Sequence, residues 1–202
     1  MEKDFERNVR KVTDYISSVF NDFYVWKSLQ KKEYNEIYKE NTYFWNATLP
    51  SLQFSYLMGL AKLFDERKQK DVLSIYYLIN LIQEKNEKNK AKEEIHKYQS
   101  SIKNLVIWRS NILAHYSIFF AHNSQKLFKR FPIKGEELEN LMNLLEKVLG
   151  MIDSARTKTG QRYDFRIIKE GSQRDAEDII KKIKECRKRE AKEFKKPWNK
   201  EK

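Results

Sequence analysis

The spacing of apolar residues is the feature that most restricts how this chain can fold. Over residues 5–23 they recur every three or four positions, which is the period of an α-helix with one buried face. These residues are Phe5, Val9, Val12, Ile16, Val19, Phe20 and Phe23. The 202-residue chain has only 5 glycines and 3 prolines, too few turn residues for many short strands. The sequence therefore predicts an all-α fold, a bundle of long helices.

Proline and capping residues predict where the helices begin and end. A second helix is predicted over residues 29–44, and then a kink or a new helix start near Thr48, because Pro50 lacks an amide hydrogen and disfavours helical geometry in the residue before it. Residues 51–64 are the most apolar segment, with large side chains on more than one face, and are predicted to form the central buried helix. Further helices are predicted over residues 72–83 with Asp71 as the N-cap, residues 91–120 and residues 135–155.

The C-terminal part of the chain differs from the rest in charge. Residues 156–202 hold 17 lysine or arginine residues against 9 aspartate or glutamate residues, within a total net charge of +12. We therefore predict two parts, a helical bundle over residues 1–156 and a basic C-terminal extension over residues 157–202. The extension is predicted to contain a loop, a charged helix capped by Ser172 or Asp175, and a frayed tail.

The positive charge and the single cysteine restrict the partners and the compartment. A strongly basic field attracts polyanions, of which nucleic acid is the commonest; the alternative is that the charge serves only solubility. Cys186 has no second cysteine with which to form an internal disulfide, which indicates a reducing compartment. The N-terminal segment is mostly charged, and no apolar stretch is long enough to span a bilayer. We therefore expect a cytoplasmic protein that binds RNA and no membrane.

A segment from Trp108 to Tyr116 contains the residues best suited to catalysis. Arg109 and His115 lie six positions apart, with Ser110 and Asn111 directly after the arginine. Histidine titrates near neutrality and can exchange a proton, while a guanidinium can hold phosphate oxygens and their developing charge. The two small polar side chains can hydrogen-bond a phosphate or orient the imidazole. The pattern suits metal-independent RNA cleavage, in which the ribose 2′-hydroxyl attacks the adjacent phosphate.

The spacing of this pair raises a geometric problem. Six residues of an α-helix correspond to about 600° of rotation, which leaves Arg109 and His115 roughly 120° apart. Either the helix starts or bends near Arg109, or two copies of the chain pool their motifs in one cleft at a two-fold axis. We favour both solutions and expect a homodimer. The alternative is that Arg109 caps a helix and His115 is an ordinary interior residue.

Other titratable residues suggest no metal or cofactor. His96 and His122 stand alone in polar surroundings, and the sequence shows neither metal-ligand spacing nor a glycine-rich phosphate loop. Asp65 is more typical of a cap or an ion pair than of a catalyst, although it could reach Arg109 from a neighbouring helix. We therefore expect neither a bound metal nor a cofactor.

A run of basic residues near the C terminus is a candidate RNA-binding surface. Cations on one helix can follow phosphates, and the aromatic residues beyond them, Phe194 and Trp198, can stack on a base. The alternative is an ordinary solvated helix face. The candidate RNA contacts are Lys181, Lys182, Lys184, Arg187, Lys188 and Arg189.

Four segments in order resemble HEPN domains, and in particular their abortive-infection branch of the AbiU type. They are Phe44-Trp45, the run from Leu57 to Asp65, Val72-Leu73-Ser74, and Trp108-Arg109 followed by Ala114-His115. The first three look like that branch's Trp…LARLFD…SL pattern, and the last looks like its Arg…Ala-His segment. The resemblance covers about residues 5–155.

The resemblance implies a fold and an activity. HEPN domains are helical bundles that dimerise so that two Arg–His motifs face one cleft, and many are metal-independent ribonucleases of antiviral defence or toxin–antitoxin systems. It implies Arg109 and His115 as the site, with an assisting polar residue after the arginine. The family usually has Asn, Asp or His there, whereas this chain has Ser110 and then Asn111. It also implies RNA, a second copy and an antitoxin or regulatory protein as partners. Because some HEPN domains only bind, a non-catalytic RNA- or protein-binding module is the alternative.

Overall fold

Helices make up nearly all of the chain that can be described. The computed structural model describes residues 2–66, 74–113, 129–157 and 165–193, and these ranges contain no strand. The prediction of an all-α bundle is confirmed. The α-helices are α1 (Glu2–Leu29), α2 (Asn35–Glu40), α3 (Thr42–Leu63), α4 (Ile75–Leu81), α5 (Lys85–His96), α6 (Gln99–Trp108), α7 (Gly135–Thr157) and α8 (Arg166–Glu193).

Helices α1 and α3 form the centre of the bundle and run antiparallel. Gly59 of α3 lies against Val19 of α1, and the Ser55 hydroxyl donates to a carboxylate oxygen of Asp22 at 2.5 Å, so residue numbers fall on one helix as they rise on the other. The apolar α1 residues predicted from the helical period are buried from position 9 onwards. Burying these side chains is the main source of stability in such a seam.

A new helix start near Thr48, one of the two predicted effects of Pro50, is wrong, because α3 runs from Thr42 to Leu63 without interruption. Pro50 and Asn46 lie on the exposed side of α3, so the carbonyl that loses its helical partner can face water. The interruption lies earlier, at Asn41, and the predicted single helix over residues 29–44 is therefore also wrong.

A short aromatic fold-back replaces that predicted helix. After α1 ends, a 3₁₀ turn over Lys32–Tyr34 leads into α2. The Tyr38 hydroxyl donates to the carbonyl of Leu29, which ties α2 to the end of α1. A second small cluster of buried apolar residues, separate from the main core between α1 and α3, forms here around Trp45. Packing of these aromatic residues favours a turn over a continuous helix.

Helix α8 starts earlier than predicted and packs along α1. It begins at Arg166, so Ser172 and Asp175 lie inside the helix and the prediction that either caps it is wrong. The Ser172 hydroxyl instead donates to the side chain of Asn21 at 2.8 Å. The Lys31–Glu177 ion pair at 2.7 Å shows that α8 runs parallel to α1. The boundary between residues 1–156 and 157–202 stays a prediction, and Phe194 and Trp198 lie outside the described residues.

The remaining helices pack around α1 and α3: α4 and α7 contact α1, and α6 contacts α3. Ser74 caps α4, accepting a hydrogen bond from the amide of Tyr77 at 3.3 Å, while the predicted cap Asp71 lies outside the described residues. The segment over residues 129–134 returns along α6, where the indole of Trp108 donates to the carbonyl of Phe131 at 2.8 Å. None of the helices in the described ranges is long and apolar enough to cross a membrane.

Candidate functional site around Arg109

The backbone changes geometry at Arg109. Helix α6 ends at Trp108, and Arg109–Leu113 form a π-helical turn. Such turns make i→i+5 hydrogen bonds and recur at functional sites. The sequence predicts a start or bend near Arg109, and this is where the α-helical geometry stops. The rotation of an ideal α-helix therefore does not apply over Arg109–Leu113. His115 lies outside the described residues.

Arg109 is held by an acidic residue that lies just beyond the end of another helix. Its Nη1 atom donates to the Oδ2 atom of Asp65 at 2.5 Å, and the two side chains are only 16% and 6% exposed. Asp65 follows directly on α3, whose C-cap is Phe64. A charge-assisted bond of this kind orients the guanidinium. The sequence-based suggestion that Asp65 reaches Arg109 is confirmed.

Tyr15 of α1 is a further polar residue near this pair, and the sequence reasoning did not select it. Its hydroxyl lies against α3, 3.5 Å from where a β-carbon on Gly59 would be. Burial raises the pKa of Tyr15, the positive charge of Arg109 opposes that rise, and Asp22 adds to it. Tyr15 is 36% exposed. Its hydroxyl therefore stays protonated at neutral pH and interacts electrostatically with Arg109. A tyrosine at the edge of an amphipathic helix gives no sequence signal for such a role.

The two residues predicted to assist have different surroundings. The Asn111 amide nitrogen donates to the carbonyl of Ile107 at 2.8 Å, one turn back along the chain, and its side chain is half-buried. Ser110 is exposed. Of the two, Ser110 is the more accessible to a ligand, while the amide of Asn111 is partly used by the backbone. Their assisting role stays a prediction.

The six predicted RNA contacts all lie in the second half of α8, where two of them also make contacts within the chain. Arg187 binds the Glu40 carboxylate at 2.6 Å, and the Lys184 ammonium lies 5.3 Å from the ring centroid of Tyr34. These two cations therefore help to pack α8 against the α2 region. The other four are exposed: Lys181, Lys182, Lys188 and Arg189.

Within one chain, Arg109 and this basic surface lie at opposite ends of the helical bundle. Arg187 contacts Glu40, just before α3 begins, whereas Arg109 contacts Asp65, just after α3 ends. Helix α3 has 22 residues, and at 1.5 Å per residue the two places are about 30 Å apart along its axis. A single chain does not bring them together.

The described residues contain no group of three or more histidine, cysteine, aspartate or glutamate side chains that could hold a metal ion. Among the described residues, the groups that interact with the Arg109 guanidinium include the buried carboxylate of Asp65 and, electrostatically, the phenol of Tyr15. A guanidinium fixed on one side by a carboxylate still carries donors for an anion, because it has five N–H groups in all.

Comparison with known proteins agrees with this architecture. A model of the HEPN family described as AbiU2 matches residues 3–179, from the first turn of α1 into the middle of α8. This protein is thus a HEPN domain. Within that class it belongs to the AbiU2 family, which is of the abortive-infection type. The match extends beyond residue 155, where the resemblance seen in the sequence ends. No curated protein and no solved structure matches the chain.

Proposed function

We propose that this HEPN domain is a metal-independent endoribonuclease of antiphage defence, acting in abortive infection or as a toxin. The site consists of Arg109 and His115, shared across a homodimer so that two motifs face one cleft. The observation that carries the proposal is the position of Arg109 in a chain of this family. The arginine lies at a π turn, is oriented by Asp65, and keeps part of its side chain open to solvent.

The proposed chemistry needs only side chains of the motif. The ribose 2′-oxygen attacks the adjacent phosphorus while an imidazole takes its proton, and the bond to the 5′-oxygen breaks as that oxygen gains a proton. The products are a cyclic phosphate end and a 5′-hydroxyl end. His115 is the proton carrier, a role worth roughly 10²–10⁴-fold in rate. Arg109 neutralises charge on the phosphate in the transition state.

The neighbours of Arg109 support this division of roles. The Asp65 carboxylate occupies one edge of the guanidinium, which fixes the direction of the remaining N–H groups. Ser110, which is exposed, and Asn111, which is half-buried, are the two candidates for the assisting residue. The net charge of +12 favours encounter with RNA.

The test is cleavage of mixed RNAs by purified protein in excess chelator. We expect the wild type to cut and to leave cyclic phosphate ends, and His115→Ala and Arg109→Ala to lose at least about 100-fold in rate. Arg109→Lys keeps the charge but not the planar fork, so it restores little. Matched controls are His96→Ala and Arg174→Ala, both at exposed positions of other helices. Equal rates in all variants would end the proposal.

A specific observation also favours a second function, a non-catalytic module that binds RNA or a protein partner. Arg109 is mostly buried and already paired with Asp65, which is how an arginine with a purely structural role is placed. This function predicts RNA or partner binding without cleavage, and variants of Arg109 and His115 that lose stability but not affinity. Sedimentation of the purified protein tests the homodimer in both cases.

A further inference from the structure

A groove at the far end of the bundle from Arg109 has no role in the reaction proposed above. It lies between the start of α3 and the second half of α8 and has a volume of about 460 Å³. Phe44 and Trp45 line it from α3, and Lys182, Arg187 and Glu190 line it from α8. Glu40 also lines it, so the groove combines an aromatic wall with two cations and two carboxylates.

The aromatic wall is exposed but rigidly supported. Phe44 is 59% exposed, and its ring centroid lies 4.9 Å from that of Trp45 in an edge-to-face arrangement. Trp45 is itself buried and packs on Tyr38 with 4.8 Å between ring centroids. The adjacent Tyr43 is 94% exposed. Large aromatic surface left open to water beside a groove is typical of a ligand site.

The opposite wall supplies positive charge. Residues 179–190 include six lysine or arginine residues and two glutamates. Glu40 neutralises Arg187, and Glu190 lies on the groove itself, but Lys182 is exposed there and Lys181 is its exposed neighbour. The lining itself is therefore balanced in charge, and the surplus of positive charge that attracts an anionic ligand lies on the adjoining surface of α8. An aromatic face next to fixed cations suits a chain of alternating bases and phosphates.

We propose that this groove binds single-stranded RNA, with an unpaired base stacked on Phe44 and the adjoining phosphate at Lys182. The inference rests on the proposed function only in taking RNA as the ligand. A paired base offers no free face, so duplex RNA does not fill the groove. Because the groove and Arg109 are about 30 Å apart along α3, one chain holds its RNA several nucleotides away from any phosphate at its own Arg109.

The experiment measures binding separately from cleavage. A fluorescent single-stranded oligonucleotide of about 12 nucleotides, carrying 2′-O-methyl groups so that no nucleophile is present, is titrated with the full chain. Phe44→Ala and Phe44→Leu weaken binding about tenfold, as expected for one lost stacking contact. Phe44→Tyr retains the affinity. Phe54→Ala, on the same helix and 46% exposed but outside the groove, leaves it unchanged.

A second readout tests the cationic wall. Lys182→Ala reduces the dependence of the logarithm of the binding constant on the logarithm of salt by about 0.7, the contribution of one phosphate contact on a single strand. Lys85→Ala removes an exposed lysine at the start of α5 and leaves the slope unchanged. A blunt RNA duplex binds the wild type and Phe44→Ala equally.

Two results would overturn the inference. One is equal affinity of wild type and both Phe44 variants for the single strand. The other is a Phe44 variant that changes the sedimentation of the protein but not its RNA affinity, because the groove would then be a contact between subunits. If wild type binds through Phe44 but never cleaves unmodified RNA, the ribonuclease proposal fails and the groove stands. If wild type cleaves unmodified RNA while both Phe44 variants bind like wild type, the groove inference fails and the ribonuclease proposal stands.

Discussion

Asp65 and Arg109 join the end of α3 to the end of α6 through one ion pair, and the carboxylate is the more deeply buried partner. Removing one member of such a pair leaves a charge with poor access to water, which costs far more than losing an exposed pair. The interaction therefore has two consequences. It orients the arginine of the motif, and it couples that arginine to the stability of the fold.

The first prediction concerns this coupling. Asp65→Ala and Arg109→Ala each lower the free energy of unfolding by about 3 kcal/mol, because each breaks a mostly buried ion pair by removing one of its two charges. The double variant is more stable than the sum of the two losses predicts, by about 1–3 kcal/mol. Urea unfolding of the four proteins measures the difference. The matched control is the exposed pair of Lys39 and Glu36, for which the coupling is close to zero. Additive losses for Asp65 and Arg109 would contradict the prediction.

The second prediction concerns the close approach of α1 and α3. A β-carbon on Gly59 would lie 2.4 Å from the Cγ2 atom of Val19, which is buried and cannot move aside. Gly59→Ala therefore lowers the free energy of unfolding by about 1–3 kcal/mol. The loss caused by Gly59→Ala is smaller when Val19 is already alanine, because the Cγ2 atom that the new β-carbon meets is then gone. Gly150→Ala, at a helical position with nothing near the added carbon, instead stabilises by about 0.5–1 kcal/mol. Thermal unfolding that ranks the two alanine variants equally would refute this.

The third prediction is a pH dependence at the start of α7. Glu137 accepts hydrogen bonds from the amide of Lys134 and the hydroxyl of Ser101, both at 2.7 Å, and these hold its pKa below the ordinary value. The unfolded pKa is about 4.3. A lowered folded pKa stabilises the fold above that value, and the gain is lost as the pH falls through the folded pKa.

Glu137→Gln should therefore lower the free energy of unfolding by about 1–2 kcal/mol at neutral pH, and the deficit should shrink as the pH falls below about 4. Denaturant unfolding at a series of pH values measures it. Glu136→Gln, next in sequence and exposed, serves as the control and should show little deficit at any pH. A deficit that is constant with pH would show that the charge of Glu137 is not what stabilises α7.

The fourth prediction separates two neighbouring cations of α8. Arg187 binds Glu40 and also donates to the carbonyl of Ile37 at 3.5 Å, whereas Lys188 is exposed. Arg187→Ala therefore lowers the free energy of unfolding by about 1 kcal/mol through lost packing and hydrogen bonding. Lys188→Ala leaves stability unchanged and reduces the salt dependence of RNA binding. Urea unfolding and RNA titration at several salt concentrations measure the two effects, and the opposite pattern would contradict the assignment.

The spacing of apolar residues predicted more of this fold than the proline and capping residues did. The apolar positions of α1 follow from spacing alone because each turn repeats the same burial. Pro50 misled because its position on the exposed side of α3 reduces the cost of a missing hydrogen bond. Ser172 misled because a good cap residue can equally donate across to another helix, as it does to Asn21. Local propensities are weak where tertiary contacts compete with them.

The sequence by itself determined the all-α class, the basic charge, the HEPN resemblance and the selection of Arg109, because each depends on residue type and spacing along the chain. Only the tertiary structure decided that Asp65 holds Arg109, that Tyr15 interacts electrostatically with it, and that Phe44 and Lys182 line one groove. These relationships join residues far apart in sequence, and they arise from how the helices pack on one another. Helical spacing describes which face of a helix is buried, but not which neighbour covers it.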